Sequence, residues 1–236
     1  LGTIEELLDA KETLSQKIRR VENSSLEISI IESSLNKSEL QLNDLAQSIF
    51  SKREKAIPIL VEKIEHLLAQ IGMENTRIQM SIHHTDQYFR NGKDELQVLI
   101  SANKGISFGA LKKLASGGEL SRIMFSIKVV LSEYLNLPTI IFDEIDTGIS
   151  GEISQKMARM MQTMAENMQV ITSTHLPQIA SVGDIHYKVF KQDIDNDIVT
   201  QLKRLSDNER IIEIAEMLGG KNVTSTAIQH AKQLLN

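Results

Sequence analysis

A chain of 236 residues with no cysteine, 4% aromatic residues and a formal charge of −5 excludes disulfide frameworks and thiolate metal sites, and it offers no whole-domain positive field for nucleic acid. No apolar run reaches the roughly 18 residues that span a bilayer and no signal-peptide pattern occurs, so a cytoplasmic protein without a membrane partner is expected. The first residue is Leu1 rather than Met, which reads as a fragment or a processed product.

From Thr3 to Ile57 there is no Gly or Pro. A helix over that stretch would be about 80 Å long at 1.5 Å per residue. One heptad position is apolar throughout, in Leu7, Leu14, Val21, Ile28, Leu35, Leu42 and Ile49, while the companion position is mixed, in Ala10, Lys17, Ser24, Ile31, Ser38 and Leu45. An amphipathic helix on a globular core would share part of this pattern, but the strict seven-residue period favours a coiled coil with a partner strand covering the weaker side. Ser24-Ser25-Leu26-Glu27 reads as a capping box and predicts a fresh helix starting near Asn23.

Pro58 does not have to end the helix, because Ile59, Leu60, Ile64, Leu67 and Leu68 continue an apolar face as far as Gly72. The period then becomes two. Ile78, Met80 and Ile82 alternate with polar residues, as do Leu96, Val98 and Ile100 in part, and Asn91-Gly92-Lys93 between them predicts an antiparallel pair. The expected division is a coiled-coil arm at residues 1–70 and a globular part at 71–236.

Helical spacing returns at Leu120, Ile123, Met124, Ile127, Leu131 and Tyr134, before Pro138. Thr139 to Phe142 and Gln169 to Ser173 read as parallel strands buried on both faces, separated by a helix from Gly151 to Glu166. Ile185 to Lys191 and Ile198 to Leu205 predict late strands, and helices over Asn208 to Leu218 and Val223 to Leu235 close the chain. The alternation of strand and helix makes the centre an α/β unit.

Three short motifs carry the chemistry. Ser116-Gly117-Gly118-Glu119 opens a helix, where glycines let the backbone approach an anion, N–H groups point at it, and the Ser116 hydroxyl adds a donor. Gly and Ser also fill plain loops before helices. The strand Thr139 to Phe142 ends in Asp143 and Glu144, at the sheet edge where ligands of α/β folds collect. Asp143 there can hold Mg²⁺ through its water shell, and Glu144 can orient or deprotonate an attacking water. Out of context the pair simply solvates a strand end. Finally, Ile171-Thr172-Ser173-Thr174-His175 ends a strand in an imidazole that could donate to a γ-phosphate oxygen while neutral, although a lone His at a strand end is usually structural. The stripe Met157, Met160, Met161, Met164 and Met168 is expected in the core. The clusters Lys17-Ile18-Arg19-Arg20 and Lys52-Arg53-Glu54-Lys55 could touch DNA phosphates, but solvated helix surface is the simpler account.

In combination these motifs resemble the ATP-binding-cassette heads of SMC-like ATPases. Ser116, Gly117, Gly118 and Glu119 look like the signature in its glutamate-bearing form, Ile140 to Glu144 like a Walker B strand, Asp146-Thr147-Gly148-Ile149-Ser150-Gly151 like the D-loop, and His175 like the switch histidine. The resemblance implies an α/β fold, namely the C-terminal lobe of an ABC-type ATPase head with a P-loop NTPase-like parallel sheet and flanking helices, plus the coiled-coil arm. It implies ATP and Mg²⁺ as cofactors, Asp143 on the metal side, Glu144 as catalytic base with His175 beside it, and Asp146 at a nucleotide-bearing interface. Implied partners are the N-terminal lobe of the same protein, a second head in an ATP-sandwiched homodimer, and DNA. Nothing matches Gly-x-x-x-x-Gly-Lys-Ser/Thr. In the family that loop lies in the N-terminal part, so this chain by itself is expected to be inactive.

Within the family, Leu114 to Ile123, Phe142 to Gly151, Thr174 to Ala180, Ile71-Gly72-Met73, Ser101 to Gly105 and Ile214 to Gly220 are similar to the branch with short arms and no large hinge. That branch acts in recombinational repair of DNA double-strand breaks and implies a nucleoid-associated location. The alternatives are another SMC-like chromosome-organising or repair ATPase, and a non-enzymatic coiled-coil scaffold, against which the intact Glu144 and His175 argue. A transporter ATPase fits least, given the coil and Glu119.

Overall fold

The computed structural model describes residues 2–111, 117–143, 145, 146, 148, 149, 151–194, 197–220 and 222–236, with backbone alone at Ile194. The chain divides into two compact units, one comprising residues up to Ala56 together with Ile82–Leu96, the other Ile57–Ser81 and Gln97–Asn236.

Helix α1 (Ile4–Gln70) is 67 residues long. Its first turn is closed by the Thr3 hydroxyl, which accepts from the Glu6 N–H, and by the Glu6 carboxylate, which accepts from the Gly2 N–H at 2.7 Å. The break expected near Asn23 is absent. The Ser25 hydroxyl donates to the Val21 carbonyl at 3.0 Å and Ser29 to Leu26 at 2.8 Å, so these serines bond back into the helix instead of capping a new one. Pro58 lies inside α1 without ending it. The helix stops at Gly72, whose φ of 80° is the left-handed conformation that suits glycine, and the Met73 N–H bonds back to the Leu68 carbonyl at 2.9 Å. A Cβ at Gly72 would also stand 2.6 Å from Ile153 Cδ1.

In the first unit the heptad residues Leu7 to Leu42 leave an apolar seam in the open, between 50% exposed at Leu42 and 66% at Val21. Farther along α1 the helix is gripped by the tip of the hairpin formed by β1 (Arg77–Phe89) and β2 (Gly92–Ser101). Arg53 pairs with the nearly buried Asp94 at 2.6 Å and donates to the Asn91 carbonyl at 2.8 Å. Phe50 stacks on His84 with ring centroids 3.8 Å apart, and the Tyr88 hydroxyl donates to Asn43 at 2.7 Å.

The second unit holds the core. Ile64 and Leu68 from the end of α1, with Ile71, Ile78 and Ile100, meet Ile123, Phe125 and Val130 of α2 (Gly117–Ser132). They also meet Ile140 and Phe142 of β4 (Thr139–Phe142), and Met157, Met160, Met161 and Met164 of α3 (Gly151–Ala165). The methionine stripe is therefore packing. β2 pairs with the short β3 (Gly109–Ala110), antiparallel, and β4 pairs with β5 (Gln169–Thr172), parallel. The β4–β5 pair corrects one expectation. Ile140 and Phe142 are buried but Ile141 is 64% and Ile171 46% exposed, so in this chain the strands bury one face only. A continuous apolar run cannot say which of its faces finds a cover within the same chain.

After α4 (Pro177–Ala180), the strands β6 (Tyr187–Ile194) and β7 (Asp197–Arg204) form an antiparallel ladder from Tyr187↔Arg204 to Ile194↔Asp197. Helices α5 (Asp207–Gly219) and α6 (Ser225–Leu235) then pack together around Ile214, Ala215 and Ala231. Ser206 and Glu209 cap α5 with a reciprocal box. Arg210 on α5 donates to the carbonyls of Ser181 (2.6 Å) and Gly183, and Lys188 on β6 bonds Glu213 and Glu216. Beside them His186 keeps a buried Nδ1 with no hydrogen-bond partner among the described residues. Burial pushes its pKa below 6.5, the Arg210 and Lys188 charges push it the same way, and Glu213 opposes them.

Two outcomes follow from this packing. Leu68→Ala should lower the unfolding free energy by about 2–5 kcal/mol in urea titrations, and Leu14→Ala on the exposed seam by less than about 0.5. Because His186 binds its proton less readily folded than unfolded, the stability it contributes is present above its ordinary pKa and is lost as the pH falls towards the depressed value. Urea midpoints should therefore drop between about pH 7 and pH 5, and His186→Gln should remove part of that drop; an unaltered slope would refute the assignment.

Candidate functional site

The parallel register Thr139↔Gln169 to Phe142↔Thr172 ends both strands at the same edge. The two strands, with Ile140 and Phe142 facing inward on β4 and Val170 and Thr172 on β5, thereby deliver the residues that follow them to one place. The ladder is extended by one bond, from the Ser173 N–H to the Phe142 carbonyl at 3.0 Å. Across this edge the Ser173 hydroxyl donates to Asp143 Oδ1 at 2.5 Å. Asp143 is exposed. Glu144, expected as the base beside it, lies outside the described residues, as does Ser116.

After Asp143, Ile145 is buried and Gly148 has a φ of 72°, the left-handed conformation that suits glycine. Asp146 is 2% exposed, and its Oδ2 accepts from the Thr174 hydroxyl at 2.5 Å and from the His175 N–H at 3.1 Å. The same oxygen lies 3.3 Å from His175 Nδ1, while the imidazole as a whole is 72% exposed. The Thr174 hydroxyl in turn accepts from the Leu176 N–H at 3.0 Å, just before α4 begins with Pro177. A buried carboxylate with two donors thus holds the turn that presents His175.

Gly117 and Gly118 stand at the head of α2, and the body of that helix rests on the end of β4. Phe125 meets Phe142 edge-on with ring centroids 5.3 Å apart, and Lys128 Nζ lies 5.2 Å over the Phe142 ring. A Cβ added to Gly117 would meet nothing within 4 Å among the described residues. Gly118 and Glu119 follow in the first turn. The structure therefore binds Asp143 to Ser173 and Asp146 to Thr174 and His175, at neighbouring positions past the end of β5, and ties the helix of Gly117, Gly118 and Glu119 to the end of β4 by ring packing.

Ser173 and Thr174 carry hydrogen bonds in the site that sequence reasoning did not assign them. Their signal was present, as a run of three hydroxyl residues at the polar end of an apolar strand. For a metal, the donor set is one exposed carboxylate with a hydroxyl beside it, and no cluster of three His, Asp or Glu occurs among the described residues. Such a set suits Mg²⁺, which keeps most of its waters and shares its remaining ligands with phosphate oxygens.

No family model matches the chain. Curated relatives do. The DNA repair protein RecN of Halalkalibacterium halodurans is 30% identical over 238 residues, covering 99% of this chain and 42% of the relative. RecN of Bacillus subtilis is 31% identical over 99% of this chain and 43% of its own length, and RecN of Rickettsia typhi is 36% identical over 83% and 35%. The chain thus spans less than half the length of these relatives, in their C-terminal part. Among solved structures, the Smc head domain with a coiled coil and joint from Pyrococcus yayanosii has a TM-score of 0.64 at 13% identity, over 91% of this chain and 39% of that one. The Smc head domain with an extended coiled coil from Pyrococcus furiosus, bound to the C-terminal domain of ScpA, has a TM-score of 0.51 at 16% identity, over 91% and 55%. At such identities the likeness is one of fold.

Proposed function

From a chain that is RecN-like in sequence over nearly all its length and has the fold of an SMC-type head lobe, we propose an ATPase acting in recombinational repair of DNA double-strand breaks. This chain supplies the signature, Walker B strand, D-loop and switch histidine. The phosphate-cradling Walker A loop belongs to an N-terminal lobe of the same polypeptide. The observation that carries the reading is the shared strand edge, where Asp143, Asp146 and His175 meet through bonds to Ser173 and Thr174.

Bound ATP with Mg²⁺ would supply the phosphoryl group and the charge that offsets it. Asp143 would hold the metal side through water, with the Ser173 hydroxyl donating to that carboxylate. Glu144 is the base that takes the proton of the attacking water. Ser116, Gly117, Gly118 and Glu119 close over the triphosphate held by a second head, so that the site is complete only in an ATP-sandwiched homodimer and closure reports nucleotide state. The arm, residues 1–70, is a coiled coil whose exposed seam pairs with the outgoing strand of the same polypeptide, and residues 71–236 form the C-terminal lobe of the head. The protein is cytoplasmic, at the nucleoid, with DNA as its partner.

ATP turnover by the full-length protein, with and without DNA, tests this. Glu144→Gln should cut kcat at least about 100-fold, and the present chain alone should show none. Turnover by this chain that survives the substitution would end the proposal. The open face of β4 gives an independent check of the missing lobe. Ile141→Ser should shift the stability of this chain by less than about 0.5 kcal/mol, as an exposed site does. In the complete protein the same change should cost about 2–5 kcal/mol, as a buried one does. Equal costs in the two would remove the lobe from that face.

A further inference from the structure

Ser173 is tied to the β4 end twice. Its N–H donates to the Phe142 carbonyl at 3.0 Å, which carries the ladder one residue past the last pair, Phe142↔Thr172. Its hydroxyl donates to Asp143 Oδ1 at 2.5 Å, within the usual range for an O–H bond to a carboxylate. The backbone bond fixes where the hydroxyl stands, and the hydroxyl in turn holds one oxygen of an exposed side chain. An exposed aspartate has several rotamers open to it, and this bond selects among them. Water could satisfy such a carboxylate equally well, so the bond adds direction more than stability. The adjacent hydroxyl of Thr174 goes to Asp146 instead, so the two consecutive hydroxyl residues serve different acids.

We propose that Ser173 is a positioning residue for the magnesium side of the site, holding the Asp143 carboxylate in the orientation that receives the water shell of nucleotide-bound Mg²⁺. Carboxylates that serve a metal are commonly held by such an outer donor, and removing the donor weakens metal binding by about 10–100-fold. Because Ser173 belongs to the strand end that leads to His175, the residue that aims the metal carboxylate and the proposed switch histidine sit on one short segment. The proposal rests on the ATPase reading, which gives Asp143 its metal.

The test measures binding of the non-hydrolysable β,γ-imido analogue of ATP to the full-length protein, once with Mg²⁺ and once with EDTA. The ratio of the two dissociation constants is the gain that the metal brings. Ser173→Thr keeps a hydroxyl, and Ser173→Val has nearly the shape of threonine without one, so the pair isolates the bond. Ser173→Thr should keep the native gain. Ser173→Val should lower it by about tenfold and leave the EDTA value unchanged. If the valine variant misfolds, Ser173→Ala takes its place with the same expectation. An equal gain with and without the hydroxyl would overturn the proposal. So would a loss of affinity that is equal in Mg²⁺ and EDTA, the mark of a merely structural role, or native binding with no gain from Mg²⁺. These outcomes end this proposal alone, whereas a native protein that binds no analogue under either condition would end the ATPase reading and this proposal with it.

Discussion

The parallel pairing of β4 with β5 is the constraint on which the candidate site depends. Its register brings Phe142 opposite Thr172, so Asp143 and Ser173 leave the sheet side by side. A shift of one residue would send the side chains of either strand to the opposite face and expose Ile140 and Phe142. The burial of Phe142 against Phe125 opposes such a slip, so the same contact that seats α2 also keeps the strand ends aligned. Core packing and site geometry are therefore one problem here.

Around that edge the site is built in layers of decreasing burial. Asp146 is enclosed, Thr174 and the backbone of His175 satisfy it, and the imidazole projects beyond them. A buried carboxylate without donors would be costly, which ties Asp146 to the turn at Thr174 and His175. Asp143, by contrast, is exposed and accepts from the Ser173 hydroxyl.

The open features of the chain share one physical character, apolar surface without a cover in the chain itself. Ile141 and Ile171 on the β4–β5 sheet, and the heptad seam from Leu7 to Leu42, belong to elements whose patterns suit burial on more sides than this chain provides. Both fit the extent of the match, which takes in less than half of each RecN relative.

Sequence by itself determined the long helix, the change of period after Gly72, the position of the strands, the methionine core stripe and the polar groups at the strand ends. Each of these is a local property, set by repeat length, propensity and the residues flanking an apolar run. Tertiary structure decided which face of β4 is covered, that Ser24 and Ser25 do not interrupt α1, and that Asp94 meets Arg53 across 41 positions of sequence. It also decided that Asp146 turns inward to Thr174, 28 positions away. Such partners are chosen by chain closure, and no periodicity encodes the direction in which a side chain points once distant segments come together.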